Sequence, residues 1–481
     1  MKQKSASGMK DVVLYGIGGI GEDIAYNLFY MFFIFFLTSV AGIKPAAAGT
    51  ISLIAVMWDA VSDPIIGYLS DRCKGWKNFG KRGTFILFGA IPLGLSVFLL
   101  YNDVPLSGAG KVAFFILVNI AFWMFFTMVD IPYVAMATEI TENYDVKTKM
   151  RTSVLLFSNL GQMVLSFGLL QFVDYMAGSG YADAFIWRIV GAAMGLISTV
   201  TFMCVAVAMR GKELKQPETA ESGEKLSDSH NKGELMQALK GLLKMHDYRI
   251  LIIIGLVYNL YLGIANSSLL YYSLYSCGLT MAQSSVAQSA SLLISLLLIT
   301  PVGGLIVKFG KKEVLLWSFV LMVISSLVCW LTAPSLVVFA IVNVILNLTS
   351  SVFWIDIYAM NFDVSALYEF KTGKNCEGFM VSICAFMTKV GVAVGMWLNG
   401  ILMTLFNVDP TSEVITEDMV GGMQKIFGLI PAVISGVLVV ACLLYRVKKE
   451  HILALTEASE LKKAGKPYST EGFEKLLSQN R

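Results

Sequence analysis

Acidic side chains recur within apolar stretches of this sequence, and two of them are spaced to share one helix face. Asp59 and Asp63 lie four residues apart in the segment Trp58-Asp-Ala-Val-Ser-Asp-Pro64, a spacing that stacks both carboxylates one turn apart. Two like charges so close in a low dielectric cannot both stay ionised unless a cation joins them. The pair predicts a site for Na⁺, Li⁺ or a proton, with Ser62 and Thr127 as further oxygen donors. The alternative is a structural pair held against a Lys or Arg of another helix.

A second pair of acids, Asp23 and Asp130, predicts recognition of a polyhydroxylated molecule. Carboxylates accept hydrogen bonds from hydroxyl groups, and a charged acceptor makes each bond stronger. Tyr26 and Asn27 continue the Asp23 face, and Pro132 frees a backbone carbonyl near Asp130. The alternative for both acids is an interhelical ion pair or a gating contact.

Two further residues are candidates for the same binding site. Lys389 is a base within an apolar stretch and either neutralises one of the acids or contacts the substrate. Trp354 offers an aromatic face that can stack on a sugar ring, although packing is the commoner role of a Trp.

The composition shows what surrounds these residues. Of the 481 residues 56% are hydrophobic and 15% charged, whereas a soluble domain carries about a quarter charged residues. The first apolar segment lacks a small-residue cleavage site and is expected to remain as a spanning helix. The seven cysteines lack the spacing of a metal site or a disulfide framework. We expect no enzyme cofactor, no nucleic-acid partner and a lipid bilayer as the main solvent.

The hydropathy pattern predicts an all-α membrane protein with twelve transmembrane helices in two six-helix bundles. A span needs about 20 apolar residues, and twelve candidates occur at 12–40, 46–71, 84–103, 112–138, 152–176, 185–209, 249–276, 282–307, 313–333, 335–362, 378–406 and 422–446. Residues 1–209 then form the first bundle, 210–248 a cytoplasmic linker with an amphipathic helix, 249–446 the second bundle and 447–481 a tail that also reads as an amphipathic helix. This organisation is that of the major facilitator fold, with substrate near the midplane.

The distribution of basic residues predicts the orientation. With the N-terminus inside, 32 of the 37 Lys and Arg residues lie in inner segments, and the exceptions are Lys44, Lys111, Arg188, Lys389 and Lys425. Basic residues concentrate on the cytoplasmic side, so both termini are expected to be cytoplasmic.

Charged residues at this face predict a cytoplasmic gate. Acids after the tenth span would meet bases from the loops of the first bundle, and the residues concerned are Arg82, Arg151, Asp363, Glu369 and Glu377. The alternative is an ordinary solvated loop.

At these residues the chain resembles the glycoside–pentoside–hexuronide:cation symporters, the melibiose permease family. The similarity covers nearly the whole length and rests on ordered motifs: Gly19 to Asp23, Trp58-Asp59-x-x-x-Asp63-Pro64, Gly80-Lys81-Arg82, Asp130-Ile-Pro132, Phe353-Trp354, and the string from Asp363 to Gly378 ahead of Lys389. The resemblance implies a monomeric bacterial inner-membrane carrier that imports a sugar or glycoside with Na⁺ or H⁺. It also implies a cation site at Asp59, Asp63 and Thr127, and a sugar site at Asp23, Asp130, Trp354 and Lys389.

The sequence departs from the family pattern at three positions that bear on the cargo. Val134 replaces an aromatic residue, Ser153-Val-Leu-Leu156 stands where many relatives place an arginine that faces the cavity, and Ser62 replaces an asparagine. Two acids and one base favour a neutral polyol over an anionic uronide. A lysolipid:cation symporter of the same architecture is the first alternative. A membrane prenyltransferase is a weaker one, because it needs two acidic motifs and this chain has one, and a non-transporting receptor is the weakest.

Overall fold

The structure is a computed structural model that describes residues 8–72, 75–76, 78–141, 144–212, 241–332, 334–373, 377–412, 414–463, 466–474 and 476. Twelve helices in this part of the chain are long and apolar enough to cross a membrane. We label them α1 to α12, and they run over Met9–Val40, Pro45–Ser70, Gly80–Leu100, Gly108–Ala137, Val146–Gly178, Asp183–Ala208, His246–Ser276, Met281–Phe309, Lys311–Leu331, Leu336–Thr372, Met380–Leu405 and Glu417–Leu444. The predicted all-α architecture of twelve spans is confirmed.

Large apolar side chains remain exposed on the outside of these helices. Leu297 of α8 is 78% exposed, and Leu117 of α4 and Leu196 of α6 are also exposed. A protein in water rarely leaves so much apolar surface uncovered. These faces are therefore the ones that contact lipid.

The tenth span is longer than the hydropathy pattern predicts. The predicted end is residue 362, but α10 continues as one helix to Thr372, so that Asp363 and Glu369 lie on a helix rather than in a loop. Its 37 residues extend over about 55 Å at 1.5 Å per residue, well beyond a hydrocarbon core of about 30 Å. Gly373 ends the helix with a left-handed φ of 72°, and its N–H donates to the carbonyl of Glu369 at 2.7 Å.

The tail forms a further helix, α13, over Lys449–Lys463, as its pattern predicts. The amphipathic helix predicted within the linker falls largely outside the described residues. Only 241–244 of that segment are described, and they are helical.

The chain divides into two compact units. Unit 1 comprises Met1–Gln216, Gly263–Ser289 and Ala393–Ile426, and unit 2 comprises Pro217–Leu262, Ala290–Val392 and Phe427–Arg481. Unit 1 thus contains α1 to α6 together with one end of α7, α8, α11 and α12. The domain boundaries at 209, 248 and 446 stay a prediction.

Within unit 1, helices from the two halves of the sequence meet at one end. The hydroxyl of Thr38 in α1 is hydrogen bonded to that of Tyr271 in α7. Ser285 of α8 donates to the carbonyl oxygen of Phe167 in α5 at 3.1 Å. These contacts join the helix ends that the charge distribution predicts to be extracellular.

Two glycines permit the closest of these approaches, between α2 and α11. A Cβ at Gly400 would lie 2.3 Å from the carbonyl oxygen of Pro45, and one at Gly49 would lie 2.9 Å from that of Trp397. Backbone therefore packs directly on backbone, which closes this end of unit 1.

Candidate functional site

The structure brings Asp59 and Asp63 of α2 together with Thr127 of α4. The Thr127 hydroxyl oxygen lies 2.6 Å from Oδ1 of Asp59 and 3.1 Å from Oδ1 of Asp63. Asp59 is 1% exposed and Thr127 is 2% exposed. Ser62 is also buried, but its hydroxyl donates to the backbone carbonyl of Asp59 at 3.1 Å. A single hydroxyl therefore bridges two carboxylates that lie one helical turn apart.

The bridge is an arrangement that a cation would complete. A hydroxyl has one proton and donates to one carboxylate at a time, so Thr127 cannot neutralise the repulsion between two negative charges. A proton or a small cation placed among the oxygens removes that repulsion. Among the described residues, no group of three or more His, Cys, Asp and Glu side chains forms a multivalent metal site. Two carboxylates with one hydroxyl suit a monovalent cation.

Asp23 lies on α1, where a neighbour fixes one carboxylate oxygen and leaves the other available. Asn27 donates from Nδ2 to Oδ1 of Asp23 at 2.8 Å. Oδ2 is buried and accepts no hydrogen bond from the described residues. Gly161 of α5 lies against this side chain, since a Cβ there would be 3.3 Å from Oδ2. A buried acceptor of this kind is stabilised by a donor, and a substrate hydroxyl can supply one.

Aromatic rings connect the Asp23 helix to the helix of Thr127. The rings of Tyr26 and Tyr30 on α1 lie 4.4 Å apart, and Tyr26 also packs 6.1 Å from Trp123 and 6.0 Å from Phe126 on α4. Tyr30 also interacts electrostatically with both acids of α2. These rings pack α1 against α4 near Asp59 and Asp63.

Asp130 has a partner that the sequence analysis missed, Glu22 of α1. The two carboxyl groups lie close enough to interact, and Glu22 also interacts electrostatically with Arg151. Glu22 was detectable in the sequence, because an acid within an apolar span carries the same insertion cost as its neighbour Asp23.

Two tyrosines hold α1 and α4 together beside this carboxyl pair. The hydroxyl of Tyr15 donates to the carbonyl of Tyr133 at 2.7 Å, and the hydroxyl of Tyr133 donates back to the carbonyl of Tyr15 at 2.9 Å. Their rings stack with centroids 4.8 Å apart. This reciprocal contact fixes the distance between the helices that carry Glu22 and Asp130.

Unit 2 contains the other two predicted substrate residues. Trp354 of α10 is half-buried and lies 5.2 Å from the Phe353 ring and 6.3 Å from the Tyr358 ring. Lys389 of α11 is also half-buried. Asp356 of α10, which the sequence analysis missed, is 0% exposed, and neither of its carboxylate oxygens is hydrogen bonded within the described residues.

Two of the predicted gate residues have contacts inside their own units. In unit 1, Arg82 is buried and donates to the hydroxyl of Ser70 at 2.5 Å. In unit 2, Asp363 forms a salt bridge of 2.6 Å with Lys311 of α9. Glu369 is half-buried on α10, and the side chain of Glu377 lies outside the described residues. The gate stays a prediction.

Twelve spanning helices with carboxylates retained inside them define a secondary transporter of the major facilitator type. The sequence profile of the MFS/sugar transport protein family matches residues 14–449, and the chain belongs to that family. This match confirms the resemblance noted in the sequence, and it makes the chain a multi-pass inner-membrane transporter rather than an enzyme.

Named relatives are also transporters. The symporter YnaJ of Bacillus subtilis (strain 168) is 26% identical over 402 residues, which cover 81% of this chain and 82% of the relative. The isoprimeverose transporter of Lactiplantibacillus pentosus is 23% identical over 437 residues, which cover 90% and 88%. The crystal structure of the nucleoside transporter NupG superimposes with a TM-score of 0.64 at 13% identity, covering 92% of this chain and all of that one. The last similarity supports the fold alone.

Proposed function

We propose that this protein is a symporter that imports a neutral sugar or glycoside together with a monovalent cation held by Asp59, Asp63 and Thr127. The observation that carries the proposal is the Thr127 hydroxyl, which lies within hydrogen-bonding distance of both carboxylates. Retaining two acids in a spanning helix costs about 2.5–3.5 kcal/mol each on insertion scales. A reversible cation site gives a reason to retain both.

Asp23 and Asp130 support a hydroxylated cargo. Asp23 presents a buried oxygen that accepts no hydrogen bond from the described residues, and its geometry is held by Asn27. Glu22 adds a third acid next to Asp130 and Arg151 adds a second base next to Glu22, so acids still outnumber bases, which favours a neutral polyol over an anionic uronide. A relative named as an isoprimeverose transporter is in keeping with a glycoside.

The proposed order of events begins at the cation site. A cation between Asp59 and Asp63 removes their repulsion and fixes α2 against α4. Asp130, three residues after Thr127 on α4, is then held in position for the sugar. Sugar and cation should each raise the affinity of the other by the same factor, because linkage is reciprocal. In this mechanism the termini and linker are cytoplasmic, and one monomer is the transporting unit.

Substrate binding by purified protein tests this proposal. A panel of glycosides is titrated with and without Na⁺ or Li⁺ at two pH values. Tighter binding with Na⁺ supports the proposal and identifies sodium as the coupling ion, whereas tighter binding only at low pH identifies the proton. If no sugar binds under any condition, the sugar proposal is wrong and the lysolipid alternative is the next to test.

A pair of threonine variants tests the cation site itself. Thr127→Val keeps the shape and removes the hydroxyl, and it should weaken cation affinity about tenfold to a hundredfold, since a hydrogen bond to a charged group contributes about 1.5–3 kcal/mol. Thr201→Val is the matched control, because this buried threonine donates only to carbonyls of its own helix. Equal cation affinity in the two variants would exclude Thr127 from the site.

A further inference from the structure

A cavity of about 250 Å³ lies in unit 2. It forms where the end of α8, the start of α9, the α10 segment around Asp363 and the start of α13 meet. These segments carry many of the basic residues that predict the cytoplasmic face. The cavity therefore opens where the inner leaflet and its headgroups would lie.

The charge in this cavity is strongly unbalanced. Four lysines and one aspartate line it: Lys311, Lys312, Lys448, Lys449 and Asp363. Asp363 is engaged by Lys311 in a salt bridge of 2.6 Å. Glu313 of α9 lies beside Gly310 at the edge of the cavity, but the other three ammonium groups outnumber this carboxylate and keep the cavity positively charged.

Two of these lysines donate hydrogen bonds to backbone carbonyl oxygens, which do not neutralise their positive charge. Lys449 donates from Nζ to the carbonyl oxygen of Val307 at 2.7 Å, and Lys312 donates to the carbonyl oxygens of Leu443 and Tyr445. A carbonyl orients an ammonium group but carries no net charge. Lys448 is exposed. The cavity is therefore a preformed cationic site whose side chains are partly fixed by backbone.

Apolar side chains form the other wall and continue onto the lipid-facing surface. Val307 of α8 is 73% exposed and Leu453 of α13 is 61% exposed, and both line the cavity. Water can hydrate the three ammonium groups, but it is a poor partner for the two aliphatic side chains beside them. A molecule with an anionic head and a hydrocarbon chain satisfies both walls at once.

We propose that this cavity binds the headgroup of an anionic phospholipid from the cytoplasmic leaflet. The phosphate contacts Lys312, Lys448 and Lys449, and the acyl chain follows the exposed surface of Val307 and Leu453. Basic pockets between spans on the cytoplasmic side are suited to such lipids. The lipid would hold the tail helix α13 against the ends of α8 and α9. This inference is independent of which sugar or cation is transported.

Native mass spectrometry of the full-length protein in detergent tests the site with phosphatidylglycerol as the probe and phosphatidylcholine as the neutral comparison. We expect one phosphatidylglycerol to be retained in preference to phosphatidylcholine. K448Q/K449Q should lower that affinity about tenfold to thirtyfold, since each basic residue near an anionic lipid contributes about 1 kcal/mol. Both lysines are exposed, so the variant should fold.

The matched control removes the same charge from the same tail. Lys462 and Lys466 lie outside the cavity lining, and K462Q/K466Q should retain phosphatidylglycerol like the unaltered protein. Equal loss in both double variants, or equal retention of the two lipids, would overturn the proposal. Displacement of the lipid by millimolar inorganic phosphate alone would also overturn it, because the site would then be one for a soluble anion.

Discussion

The contact between α2 and α11 allows the conformational cycle to be tested with one added methyl group. At Gly400 a Cβ would lie 2.3 Å from the carbonyl oxygen and 3.0 Å from the carbonyl carbon of Pro45. Both atoms belong to backbone, so no rotamer change relieves the overlap. Gly400→Ala should therefore destabilise the state in which this end of unit 1 is closed, and a state in which the end is open should be unaffected.

The size of the effect follows from the overlap. Inserting one methyl group into a packed contact costs about 1–3 kcal/mol, which corresponds to a shift of about fivefold to 150-fold toward the open state at 1.4 kcal/mol per tenfold. Gly421→Ala is the control, because a Cβ there meets nothing within 4 Å. Replacing a helical glycine by alanine favours the helix itself by about 1 kcal/mol, so the control should be neutral or slightly stabilising.

Accessibility of a buried residue at the same end measures the shift. Ser289 is 6% exposed and lies 3.4 Å from the Ser166 hydroxyl. A cysteine there, in a background with Cys277→Ser, should react faster with a membrane-impermeant thiol reagent when Gly400→Ala is present. Unchanged labelling, or the same increase with Gly421→Ala, would refute the reasoning that backbone contact holds this end closed.

Two further predictions concern a packing contact inside unit 1 and a salt bridge inside unit 2. Gly161→Val should displace Asp23, whose Oδ2 would be 3.3 Å from the new Cβ. Isothermal titration should show sugar binding weakened about tenfold or more, because overpacking has this cost. Gly168→Val is the control and should show no such loss, since nothing lies within 4 Å of a Cβ at that position. Each single variant of the salt bridge, K311D or D363K, should lower thermal stability. The double variant K311D/D363K should recover about 1 kcal/mol of that stability. A double variant no more stable than the single variants would contradict the pairing of Lys311 and Asp363.

Hydropathy predicted the number of spans because it measures what lipid selects, but it misplaced the end of α10. Asp363 and Glu369 lower the apolar score of the segment 363–372, although acidic residues do not prevent the helix from continuing to Thr372. Backbone conformation and lipid exposure are thus separate properties. The hydropathy of that segment indicates only lipid exposure.

Close tertiary approach was not predictable from residue types. Gly49 and Gly400 are two of 42 glycines, and nothing in their local sequence distinguishes them from Gly421, where space is open. The distinction arises only when α2 and α11 are placed side by side. The omissions of Glu22 and Asp356 differ in kind, because the insertion cost that identified Asp23 applies equally to both.

The position of α4 offers a physical route for coupling inside unit 1. Thr127 and Asp130 are three residues apart, so they lie on neighbouring positions of one helix surface. Thr127 contacts the acids of α2, while Asp130 interacts with Glu22 of α1. A cation that draws α2 toward Thr127 therefore also changes the environment of Asp130 and Glu22. In the proposed mechanism, the two ligands influence each other through one turn of α4, and the coupling needs no longer pathway through the protein.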